Sequence, residues 1–153
     1  TEALAEQAAR LGLRLAHVKP HGALYNVAAR DAGVAEAIAQ AVAALDAGLI
    51  VLGLSGSRLI AAAQAAGLGV LNEAFADRRY LVTGQLVSRE TPDALVIDPV
   101  RAARQALALA RGEPIATLDG SSLRVRADTL CLHSDTPNAL NIARAIHAAL
   151  NRG

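Results

Sequence analysis

The stretch HVKPHGALYN, residues 17 to 26, holds the chain's single lysine, two of its four histidines and one of its two tyrosines. An imidazole exchanges protons near neutral pH; an ammonium group offsets developing negative charge, or serves as a base where desolvation lowers its pKa. Every other cationic side chain is arginine, so Lys19 reads as a site residue rather than a solvated charge. His21, between Pro20 and Gly22, reads as ligand-facing, whereas His17 reads as packed or bonded to backbone.

Two further groups carry reactive side chains. LNEAFADRRY, residues 71 to 80, supplies Glu73, Asp77, Arg78 and Tyr80 beside the only phenylalanine, Phe75. DTLCLH, residues 128 to 133, ends on His133, with Asp135 two residues beyond. Such carboxylates and imidazoles serve as acid-base groups or as metal ligands. No HExxH or CxxC spacing is present, so the metal signal is weak and metal content stays open. Cys131 reads as a small buried apolar residue, because nothing in the sequence points to an activated thiolate. LGLSGSRL, residues 52 to 59, approaches the G-x-S-x-G nucleophile elbow, but Ser57 stands where the last glycine is required. The Ser55 to Ser57 loop reads instead as a helix start able to hold a carboxylate or phosphate. No G-x-x-x-x-G-K-[ST] sequence occurs.

The elements that must position these groups follow from short apolar runs alternating with Ala-rich segments of helical period, the pattern of βα units. The pattern predicts helices at about 2 to 11, 33 to 46, 57 to 66, 99 to 111 and 137 to 150. Strands are predicted at 13 to 19, 49 to 54, 69 to 75, 94 to 97 and 128 to 133. Gly48, Gly67 and Gly112 are placed as left-handed helix ends, and Pro137 just inside a helix start capped by Thr136 or Asp135. LDGSSLRV, from residue 118, reads as a turn feeding an extended segment. Alternation along the first strand sets Leu13, Leu15, His17, Lys19 and His21 on one face, and along the last sets Cys131, His133 and Asp135 on one face. Histidines therefore arrive at the C-terminal ends of two strands, where parallel α/β folds bind ligands.

A length of 153 residues predicts a single domain spanning 1–153, shorter than the ~200 residues or more of a complete eight-stranded barrel. Net charge +1 with interleaved signs and only three aromatic residues argue against nucleic acid as a partner. A lone cysteine, no run of ~18 apolar residues and no basic leader lead us to expect a cytoplasmic protein without a membrane segment.

VKPHGALYN, GLSGS, EAFADRRY followed by GQLVSR, and CLHSDTPNAL, in this order, resemble the LamB/YcsF family of lactam-utilisation proteins over practically all of the chain. The resemblance implies the A subunit of the prokaryotic 5-oxoprolinase. That enzyme hydrolyses 5-oxo-L-proline to L-glutamate with ATP, which would be bound through partner subunits B and C. It also implies a distorted parallel βα barrel of the glycoside hydrolase and polysaccharide deacetylase type. This chain would be the C-terminal part of that barrel, lacking the family's N-terminal third, with apolar strand edges left to associate. Carried over by motif, Lys19, His21, His133 and Asp135 are expected to be catalytic. Tyr25, Asn26, Glu73, Asp77, Arg78, Tyr80 and Arg89 are expected to bind substrate. Which residue is base and which acid is left open. Where the family has glycine between the last His and Asp, this chain has Ser134, strained if that position takes a positive φ. Two other readings stand beside this one: a stand-alone metal-dependent amidohydrolase or deacetylase, and a non-catalytic lactam- or carbohydrate-binding protein.

Overall fold

The structure, a computed structural model, describes residues 2–151 and divides at Asn72/Glu73 into two compact units. In the first unit, helix α1 (Glu2–Arg10) buries none of its residues. Strand β1 (His17–Val18) pairs in parallel with β2 (Ile50–Leu54), His17 opposite Ile50 and Val18 opposite Val51. The expected strand at 13 to 19 shrinks to two residues, and Leu15 and Val18 both pack on the core, so period-two alternation does not extend through this segment. Helix α2 (Ala23–Ala28) is not foreseen by the sequence pattern, being six residues without a clear period. Helix α3 (Ala32–Leu45) starts at Asp31, whose side chain accepts from Val34 N–H at 2.9 Å. Gly48 is not a left-handed helix end: α3 closes on extended Asp46, whose carboxylate accepts from Gly48 N–H at 2.8 Å. Helix α4 (Arg58–Ala65) is capped by Ser57 and does end at a left-handed glycine, Gly67.

Small side chains set this core. Ala28, Ala35, Ala39 and Ala63 let helix backbones approach closely, and Val42, Leu49, Val51, Leu59 and Leu68 fill the space between helices and strand. Each of the large ones would leave a cavity on truncation to alanine, costing about 2–5 kcal/mol for a leucine.

The second unit begins within strand β3 (Gly69–Phe75). Its last residues pair in parallel with β6 (Thr129–Cys131): Glu73 with Thr129, Ala74 with Leu130 and Phe75 with Cys131. Helix α5 (Pro99–Ala110) has Asp98 as N-cap and proline in its first turn, and Gly112 beyond it is left-handed. Helix α6 (Ala139–Leu150) packs on α5 through Ala102, Ala106, Ile142 and Ile146, with Leu130 and Leu132 against the same cluster. A hairpin absent from the sequence-based expectations, β4 (Ile115–Ala116) and β5 (Ser122–Leu123), brackets the foreseen turn, where Asp119 accepts from the Thr117 hydroxyl and Ser121 N–H.

Two further expectations fail for identifiable reasons. Residues 94 to 97 form no strand; Leu95 makes only an isolated antiparallel bridge to Arg78, and this segment instead clamps the turn after β3. Helix α6 begins at Ala139 rather than at 137, because the Thr136 hydroxyl is spent on Asp77 and left-handed Asn138 opens the helix. Ser134 is unstrained: among the described residues only Asp93 and Asn138 combine a side chain with positive φ. No described helix is long and apolar enough to cross a membrane.

Candidate active site

In the first unit the chain leaves β1 through buried Pro20 and turns at Gly22, whose φ of 60° and ψ of −131° suit glycine alone. That turn starts α2 and brings Tyr25 back under Lys19, whose Nζ lies 5.4 Å from the ring centroid. Such a cation–π contact contributes about 0.5–1 kcal/mol and orients the ammonium group. Tyr25 is buried, and His21 is exposed. Asn26 Nδ2 reaches Gly22 O at 3.4 Å, a weak bond within the same turn. His17, expected to be packed, is exposed, since a two-residue strand offers it little cover. The Ser57 hydroxyl caps α4 by accepting from Ile60 N–H, and Gly56 N–H donates to Asn72 Oδ1.

The second unit assembles most of the remaining groups. Phe75 and Cys131 are register partners at the ends of adjacent parallel strands, and two residues beyond each strand end Asp77 and His133 meet. Asp77 has no exposed surface. Its Oδ2 accepts from His133 N–H at 3.1 Å and from the Thr136 hydroxyl at 2.6 Å. Nδ1 of His133 lies 3.1 and 3.0 Å from the two carboxylate oxygens. The Phe75 ring stacks on the imidazole, centroids 5.4 Å apart and planes 10° from parallel. The His133 side chain stays 26% exposed, enough for its outer edge to meet a small molecule.

Basic groups lie close by. Arg78 is buried, donates through Nη2 to Val87 O, and has no hydrogen-bond partner at Nε. Burial first, and repulsion from Arg89 second, lower its pKa. Arg89 Nη1 donates to Asp135 Oδ2 at 2.7 Å, and this bond holds the exposed Asp135 carboxyl below its ordinary range. Glu73 is buried in β3 opposite Thr129. Tyr80 has no exposed surface; its hydroxyl accepts from Phe75 N–H at 2.7 Å, and burial raises its pKa. Here Tyr80 braces the strand end. Cys131 is half-buried. Among the described residues no three His, Cys, Asp or Glu side chains are grouped to hold a metal ion.

Sequence reasoning misses two contributors. Thr136 reads there as a helix cap only. Gln105 draws no notice, although it is the one amide in α5 and shares a face with Ala102, Ala106 and Leu109, a signal that polar work is done on an apolar face.

The LamB/YcsF family profile matches residues 1–153. The chain belongs to the LamB/YcsF family. It is 51% identical over 150 residues to the 5-oxoprolinase A subunit of Bordetella pertussis, covering 98% of this chain and 60% of that one. With the 5-oxoprolinase A subunit of Methylococcus capsulatus it shares 50% identity over 148 residues, 97% of this chain and 57% of the relative. The crystal structure of a lactam utilization protein from Thermus thermophilus superposes with a TM-score of 0.89 at 47% identity, covering 99% of this chain and 60% of that one. The LamB/YcsF member thus spans about 60% of the length of the relatives it matches. The expected α/β fold with parallel strands and the expected family are both borne out.

Proposed function

We propose that this chain is the part of a 5-oxoprolinase A subunit that carries an Asp–His pair for opening the lactam, converting 5-oxo-L-proline to L-glutamate. The observation that carries this reading is the buried Asp77 carboxylate against Nδ1 of a half-exposed His133, in a chain about half identical to proteins named as 5-oxoprolinase A subunits. ATP, bound through partner subunits B and C in the cytoplasm, supplies activation of the amide.

The chain's own residues do the rest. Nε2 of His133, which has no hydrogen-bond partner within the described residues, takes a proton from water as the water oxygen bonds to the carbonyl carbon. Asp77 stabilises the imidazolium that forms. The ring C–N bond then breaks and the nitrogen leaves with a proton as the amine of glutamate. Arg78 and Arg89 offset the substrate carboxylate and the developing oxyanion, with Asp135 steering Arg89. Glu73 and Tyr80 support this strand end from within. Lys19 and His21, with Tyr25 and Asn26 beside them, are proposed to serve the same reaction from the first unit. The whole protein is proposed to adopt a βα-barrel fold.

Glutamate release from 5-oxoproline with ATP and both partner subunits tests this reading. His133→Gln is expected to lower kcat by about 10²–10⁴-fold, the usual contribution of a general base. Lys19→Ala or His21→Ala is expected to lower turnover with unchanged folding. Undiminished turnover in His133→Gln would refute the assignment.

A further inference from the structure

We infer that Thr136 and Gln105 are positioning residues that fix Asp77 from both sides and thereby hold His133 with its proton on Nδ1 and its lone pair on Nε2. The inference rests on the reading of His133 as the base. Beyond the end of β3 the backbone carbonyls no longer have a strand to bond. The Gln105 side chain supplies the missing donors: Nε2 lies 2.8 Å from Phe75 O, 2.8 Å from Arg78 O and 3.3 Å from Ala76 O. An amide nitrogen has two protons, so the two short contacts satisfy it and bracket Asp77 within one turn. Val96 N–H donates to Asp77 O at 2.9 Å, completing the backbone clamp.

Thr136 acts on the other end of the same residue. Its hydroxyl has one proton to donate, and donates it to Asp77 Oδ2 at 2.6 Å, the short distance of a charge-assisted bond. The His133 N–H donates to the same oxygen. An ionised carboxylate accepts only, so the imidazole nitrogen facing it must carry a proton. Phe75, stacked on the ring, opposes its rotation about the remaining torsion. Removing the Thr136 hydroxyl frees the carboxylate to turn, and the tautomer is no longer dictated.

The test uses the protein that carries this chain, labelled with ¹⁵N, and reads ring-nitrogen correlations at neutral pH. His133 is assigned by its loss in His133→Gln. Nδ1–H is expected in the wild type. In Thr136→Val a mixture with Nε2–H is expected, with kcat for glutamate release down about 10- to 100-fold and KM nearly unchanged. Thr136→Ser should restore both readouts. Gln105→Leu, on a different element, should act in the same direction. Nε2–H in the wild type, or an unchanged tautomer and kcat in both Thr136→Val and Gln105→Leu, would overturn the inference. The tautomer needs no turnover to be read: the expected tautomer shifts without any glutamate release support the positioning and overturn the reaction assignment instead.

Discussion

Replacing Tyr80 by phenylalanine removes one oxygen atom from a fully buried site, the oxygen that accepts from Phe75 N–H at 2.7 Å. At neutral pH the cost is that of stripping a buried amide of this acceptor, about 1–3 kcal/mol, or about 2–4 °C of Tm per kcal/mol for a protein of this size or somewhat larger. The deficit should change with pH. Burial raises the Tyr80 pKa above the ordinary phenol value, so the folded state keeps a proton that the unfolded state gives up. The stability this contributes is complete below the ordinary phenol pKa, about 10, and is lost as pH rises from there toward the folded-state value. The loss approaches about 1.4 kcal/mol per pH unit for this one group, and only the wild type suffers it. Urea denaturation of both proteins between pH 8 and about 11 should therefore show the wild-type advantage shrinking above about pH 10 and inverting if the range extends far enough. Tyr25 is common to both proteins, so any contribution from it cancels in the difference. A deficit that stays constant with pH would refute the buried neutral phenol. A deficit below about 0.5 kcal/mol at neutral pH would refute the hydrogen bond.

Other perturbations read other parts of the structure. Asp98→Ala should cost about 0.5–2 kcal/mol, because its carboxylate accepts from Arg101 N–H at 2.8 Å at the start of α5; thermal unfolding reads this directly. Gly53→Val should destabilise by about 1–3 kcal/mol, since even a Cβ there would stand 3.2 Å from a Leu59 methyl and 3.4 Å from an Ile60 methyl; an unchanged unfolding midpoint would show that α4 moves freely away from β2. Arg89→Ala should let the Asp135 carboxyl rise toward its ordinary pKa, followed by carboxyl ¹³C shifts during acid titration. Because that pKa is depressed in the folded state, whatever stability the pair adds is present at neutral pH and fades as pH falls through the folded value.

Much of this architecture was legible because βα units write themselves in period and punctuation. Asp31, Ser57 and Asp98 all cap helices near predicted starts, and Gly67 and Gly112 end helices as left-handed residues. Asp77 and His133 were legible as polar residues closing apolar runs, and both lie two residues beyond the ends of the observed strands. What escaped was set by long-range partners. Residues 94 to 97 have strand composition, but their backbone groups go to the turn at 77 to 79 rather than into a ladder. Thr136 looks like a cap until Asp77, 59 residues earlier, is seen to take its proton. Gln105 bonds to carbonyls 27 to 30 residues before it, and a backbone acceptor leaves no mark on a sequence. The short α2 escaped because a glycine conformation, not a hydrophobic period, starts it.

The most direct test of the central claim is a double-mutant cycle on Asp77 and His133, read as glutamate release from 5-oxoproline with ATP and both partner subunits. If Asp77 acts through His133, Asp77→Asn and His133→Gln should each lower kcat, and the double variant should be little worse than His133→Gln alone. Losses that simply multiply would contradict the account, because the two side chains would then be working independently.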